Sequence, residues 1–209
     1  MLDWFMKGGP VMYPIALCSV VALAAFFERL WGLRREKVVP QAFCVEIVEL
    51  VRQQRYPDAL TLCRKRDASV ARILEVAIEL RAHDRAAIKE RVEEVGRREA
   101  HDLEQYLAVV GTVGSLGPLL GLLGTVSGMI VTFESIEVGG MGQMSLVAGG
   151  IGQALITTFG GLVVAIPAVV AHRYLLSKVD RLVIELEEVS LGVVDLLVEP
   201  VRAETEGRS

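Results

Sequence analysis

Charge is missing from two long stretches of this 209-residue chain. No Asp, Glu, Lys or Arg occurs from Tyr106 to Phe133, and none from Val138 to Ala171. Each stretch exceeds the roughly 20 apolar residues that cross a bilayer. Yet charged residues make up 23% of the chain and apolar ones 52%. Mean hydropathy is +0.45. Charge is therefore segregated rather than scarce, which excludes a soluble enzyme, a secreted disulfide scaffold and a disordered tail protein. Cysteine is sparse. Cys18, Cys44 and Cys63 are odd in number and lack metal-ligand spacing, so they read as free thiols in the membrane and a reducing cytoplasm. A GxxxxGK[ST] phosphate loop is absent, which argues against ATP hydrolysis. His83, His101 and His172 stand apart in the sequence, without metal-ligand spacing. Met141 and Met144 read as interfacial residues rather than a copper site. No catalytic residue, cofactor or metal is expected.

What is present is a pattern of three spans. The first apolar run, Val11 to Phe27, extends through Glu28 and Arg29, whose stems can snorkel, to Trp31. Tyr13 and Trp31 stand at its ends like an aromatic belt. A signal peptide is the rival reading, because Ala22-Leu23-Ala24 resembles a cleavage triplet. The flank before the run lacks a basic region, which disfavours it. Arg29, Arg34, Arg35 and Lys37 follow the run, so the positive-inside rule puts the N-terminus outside. The link after the second run carries Glu134 and Glu137 but no Lys or Arg, as an external loop should. His172, Arg173, Lys178 and Arg181 follow the third, which places the C-terminus inside. The division is an external segment at 1–10, spans at 11–33, 106–133 and 145–171, a cytoplasmic helical domain at 34–105, an external loop at 134–144, and a cytoplasmic C-terminal helix and tail at 172–209.

The insert at 34–105 holds 15 Lys/Arg against 14 Asp/Glu, and 172–209 holds 5 against 8. Neither is a basic patch for nucleic acid. Apolar residues at 3/4 spacing predict helices throughout. One helix is expected from Pro40 to about Arg55, broken by Tyr56-Pro57-Asp58. Asp84 is a candidate N-cap. From Asp84 to Phe133 only Pro118 interrupts, which predicts one rod of ~75 Å. Leu175, Val179, Leu182, Leu186 and Val193 carry the third span onward as helix, with Pro200 and a polar tail ending it.

The second span carries Gly111, Gly114, Gly117, Gly121, Gly124 and Gly128 at steps of 3, 3, 4, 3 and 4. They form a stripe on one face. The third span repeats the device with Gly150, Ala154, Thr157, Gly161, Ala165 and Ala168. Glycine weakens a helix, so a stripe needs a reason, and in membranes the reason is close backbone approach. The partner helix is open: the same chain or another. Pro118 and Pro167 read as helix-shaping residues. Most Ser and Thr hydroxyls in the spans are expected to bond back to the preceding turn. Gln153 is harder to satisfy, because lipid offers its amide no partner. It should face another helix or a wet cavity. No titratable acid or base lies inside the second or third span, so a proton relay here would need one from another chain.

Residues 117–128, GPLLGLLGTVSG, and 149–170, GGIGQALITTFGGLVVAIPAVV, closely resemble the signature spans of the MotA/TolQ/ExbB proton-channel family. The ExbB/TolQ branch fits best by length and layout, since a MotA-like stator generally has four spans. The resemblance implies an all-α integral membrane homopentamer around a central pore in the bacterial inner membrane. It further implies a dimer of an ExbD- or TolR-like single-span partner in that pore, whose membrane Asp carries protons. Proton motive force would then drive envelope transport or integrity through a TonB- or TolA-like coupler, or a gliding apparatus. By motif, Thr125 and Thr158 match pore-lining threonines. Gln153 stands where ExbB and TolQ typically have glutamate, which makes it polar lining rather than a proton donor. The competing expectation is a non-conducting membrane scaffold.

Overall fold

A computed structural model describes residues 7–139 and 144–206. Met1–Met6 of the expected external segment, 140–143 of the expected external loop with Met141, the Met144 side chain and the last three residues of the tail lie outside the described residues. Every regular element among the described residues is helical: α1 (Met12–Gly32), α2 (Arg35–Val38), α3 (Gln41–Arg52), α4 (Tyr56–Lys65), α5 (Ser69–Glu79), α6 (Arg85–Glu104), α7 (Leu107–Gly139) and α8 (Met144–Glu206). Helix α1 and the stretches Leu107–Glu134 of α7 and Val147–Val198 of α8 are long and apolar enough to cross a membrane.

The chain divides into two units. One comprises the chain up to Arg29 with Tyr106–Leu175. Its core is small: Ala22 of α1 packs with Val110, Val113 and Ala168, flanked by Cys18, Ala25, Val164 and Ala171. Tyr13 is exposed at one end of α1. Arg29 is not the solvent-seeking snorkel that the sequence suggests. It is 8% exposed, pairs with Glu28 at 2.6 Å, and lies 5.0 Å over the Tyr106 ring.

That ring marks a correction. The expected rod from Asp84 to Phe133 is two helices, α6 and α7, separated at Gln105 and Tyr106. Tyr106 has φ +64, the left-handed conformation that ends helices and that a bulky side chain adopts only under compensation. Stacking under a guanidinium supplies that compensation. Proline spacing alone could not reveal this break. Helix α7 then runs past Phe133 to Gly139. Pro118 sits inside it, and Pro167 sits inside α8.

The other unit comprises Leu30–Gln105 and the chain from Leu176 onward. Helices α3, α4, α5 and α6 pack in chain order, and α2 meets α5. The core is made of large aliphatics, with Leu33, Ile47, Ile73, Leu74, Ile78 and Ile88 essentially inaccessible. On α5, Val70, Ile73, Leu74, Ala77 and Ile78 supply the buried face at 3/4 spacing. Cys44 and Cys63 are buried here, and burial pushes the Cys63 thiol up to about 12, so it stays protonated.

Two details correct the expected breaks. Helix α3 stops at Arg52 because Gln54 turns left-handed at φ +58, with Arg55 N–H donating to Leu50 O at 2.9 Å. This is a glycine-type helix end built on glutamine. Tyr56-Pro57 then starts α4, with the proline in the first turn, where its missing N–H is harmless. Asp84 holds the N-cap position of α6 but makes no side-chain cap bond. Pro200 does not end the last helix, which runs on to Glu206.

Ion pairs lace the surface of this unit. Arg72 grips the buried Glu99 with two bonds of 2.7 Å and reaches Asp67 at 2.8 Å. The Glu99 bonds hold the Arg72 guanidinium above its ordinary value. Arg64 bridges Glu75 and Glu79. Arg35 pairs with Glu185, and Arg85 with Asp195.

Candidate functional site

The site grows from the seam between α7 and α8. A methyl added at Gly117 would lie 2.9 Å from Gly161 O, and at Gly128 2.8 Å from Gly150 O. At Gly121 it would meet the Thr158 backbone at 3.0 Å. Gly114 faces Val169, Gly124 faces Thr157, Gly150 faces Thr132 and Gly161 faces Gly117. Gly111 lies under the His172 ring. The glycine stripe of α7 thus meets the small-residue stripe of α8 in the same chain, backbone on backbone.

Close approach lets polar groups cross the seam. The Thr158 hydroxyl donates to Gly121 O at 3.1 Å, on the opposite helix. Most other hydroxyls bond back to their own helix. Thr112 donates to Ala108 O at 2.7 Å, Ser115 to Gly111 O at 3.2 Å, Thr125 to Leu122 O at 2.6 Å and Thr132 to Gly128 O at 2.9 Å. Each such hydroxyl keeps lone pairs to offer a water or an acid.

The seam has two flanks. Gly111, Ser115, Pro118, Leu122 and Thr125 recur on α7 at steps of 4, 3, 4 and 3, a single helical face. Thr158, Gly161, Ala165, Val169 and His172 form one face of α8 at steps of 3, 4, 4 and 3. Helix α1 packs on the other flank, through Val110, Val113, Val164 and Ala168. Thr125 and Thr158 therefore fall on the side of the seam away from α1.

Gln153 does not join them. Its steps to Thr157, Gly160, Val164 and Ala168 carry it along the α1 flank. Its side-chain amide lies against Gly9, where a Cβ would overlap it. Gly9 has φ +72, so glycine serves both the turn and the contact. Beside it the fully buried Thr157 hydroxyl sits 2.7 Å from Gly8 O and 2.8 Å from Gln153 O. The unsatisfied amide that singles out Gln153 gives no hint of this N-terminal turn. Gly8-Gly9 was the only available signal.

These features define a class: a helical multi-pass membrane protein whose second and third spans join over glycine. The chain belongs to the MotA/TolQ/ExbB proton channel family, whose sequence signature matches residues 65–188. A Synechocystis ExbB-like biopolymer transport protein is 34% identical over 185 residues, covering 85% of this chain and 71% of its own length. The Vibrio cholerae biopolymer transport protein exbB1 is 28% identical over 196 residues, 91% of this chain and 85% of its own. The Tol-Pal system protein TolQ of Pseudomonas aeruginosa is 40% identical over 86 residues, 41% of this chain and 37% of its own. The ExbB/TolQ-like branch is the one these relatives represent. Its members are transport-energising membrane proteins.

Proposed function

We propose that this chain is the channel-forming subunit of a proton-driven inner-membrane motor. Five copies surround a dimer of a single-span, ExbD- or TolR-like partner, with the N-terminus outside and the C-terminus in the cytoplasm. The observation that carries the reading is the uncharged α7–α8 seam, with the Thr125 and Thr158 hydroxyls on the flank away from α1. That flank is free to line a pore while α1 covers the other. With no titratable group between Tyr106 and Phe133, the proton carrier is the partner's membrane Asp. Thr125 and Thr158 hydrogen-bond that carboxyl or its waters. Gln153 is a polar group at the seam's outer end, held by Gly9. The Gly-to-Gly contacts let the pair turn as one body against the partner. The work is delivered to a TonB- or TolA-like coupler.

A non-conducting scaffold is the second reading, favoured by the amide at Gln153 and its engagement with the N-terminal turn. Native mass spectrometry of the gently extracted complex separates the two. Five copies of this chain with two of a single-span Asp-bearing protein is the expected result. A homo-oligomer with no such partner removes the proton carrier and leaves the scaffold.

A further inference from the structure

His172 stands apart in the sequence but not in the fold. It sits at the end of α8's Thr158–Gly161–Ala165–Val169 face, 14 residues and about 21 Å beyond Thr158. Its ring lies on Gly111, where an added methyl would be 3.0 Å from the imidazole. It opens into a recess of about 550 Å³ lined by Thr112, Ser115, Leu116, Val169 and Arg173, among others. The recess lies on the same flank of the seam as Thr125 and Thr158. Helix α7 contributes no charged group to it. Arg173 is the charged neighbour on α8. Helix α1 packs on the opposite flank, where Ala22 joins Val110, Val113 and Ala168, with Ala25 and Ala171 against the same cluster. Its charges, Glu28 and Arg29, pair with each other, and Arg29 lies over the Tyr106 ring.

We infer that His172 is the proton-accepting group at the inner end of the pathway, one step beyond the partner's carboxyl. This rests on the proposed channel role. Imidazole is the side chain whose charge changes within the neutral range, so it can both take and release a proton there. A ring nitrogen takes the proton from pore water. The imidazolium returns it to cytoplasmic water and becomes neutral again, so one proton moves and no bond besides N–H changes. The Thr112 and Ser115 hydroxyls, already donating to backbone carbonyls, present lone pairs that orient that water. Gly111 gives the ring room to lie between the helices.

The test is proton flux through the whole complex, this chain with its co-purified single-span partner, reconstituted in liposomes and driven by a potential. Wild-type flux should show an inflection as the inner-side pH is varied. His172→Gln should lower flux roughly tenfold at neutral pH and abolish the inflection. Added free imidazole should restore part of both. His172→Phe keeps a ring over Gly111 and should lose the inflection too, which covers a packing defect in the first variant. Flux within twofold of wild type with the inflection intact in both variants overturns the assignment. A wild-type complex that carries no protons at all overturns the channel reading instead.

Discussion

The two units pack helices closely with opposite residue types. In the unit built from α1, α7 and the first part of α8, contact is made by glycine and alanine, and neighbouring backbones lie where a methyl would collide. In the other, contact is made by Leu, Ile and Val, with Arg–carboxylate pairs around them. The difference follows from solvent. Water drives large apolar side chains together in proportion to their area. Lipid does not distinguish a leucine facing a tail from one facing a helix, so association there depends on close backbone packing and on hydroxyls that cross it. The same chain uses bulk where water is the alternative and absence of bulk where lipid is.

Breaking the small-residue seam should have the largest effect. Gly128→Leu drives a side chain at Gly150 O, a backbone atom that no rotamer change can move. The expected outcome is loss of the assembled protein, an effect of about 3 kcal/mol or more, read as aggregation in detergent gel filtration. Gly96, in the water-type unit, has nothing within 4 Å of an added Cβ. Gly96→Ala should leave assembly intact and stabilise α6 by up to about 1 kcal/mol. Equal tolerance at both positions would erase the contrast. Next in size is Leu74→Ala. Leu74 is fully buried, and its truncation should cost about 2–5 kcal/mol in chemical denaturation, cavity included.

The spans, their glycine steps and the apolar faces of the insert are legible in the sequence because each is a local periodicity. The identity of the helix opposite the glycines is not, because spacing is the same for an intra-chain and an inter-chain partner. The break at Tyr106 depends on Arg29, 77 positions away, and Gln153's neighbour is Gly9, farther still. Both are long-range pairings that no window of sequence contains. Thr157 bonds to its own turn, as expected for hydroxyls in the spans, but the second acceptor at Gly8 O comes only with the fold. His172 could have been noticed, since it falls two heptads beyond Thr158 on one face.

Electrostatics sharpen the comparison at smaller scale. Arg72→Met leaves Glu99, whose side chain is 8% exposed, without its two strong donors. Removing one partner of a buried pair is costly, but Arg72 itself is half exposed, so water moderates the loss to about 1–2 kcal/mol. Denaturation midpoints of this variant and of Arg72→Met/Glu99→Met measure it. The double variant should recover most of the deficit, since neither charge is then stranded.

Thr158→Val is the smallest change and the most informative one at the seam. It is close to isosteric, so the glycine contacts at Gly121 persist. It removes one hydroxyl that bonds Gly121 O across the helices, a loss of about 1 kcal/mol. The protein should therefore assemble and melt only slightly lower. If the hydroxyl also lines the pathway, proton flux in the reconstituted complex should fall far more than stability does. Gln153→Leu makes the counterpart on the α1 flank. It removes an amide packed on Gly9 and should weaken assembly without changing the pH dependence of flux. A stability loss at Thr158 with unchanged flux would make it glue, and would leave the seam with structure but no pathway.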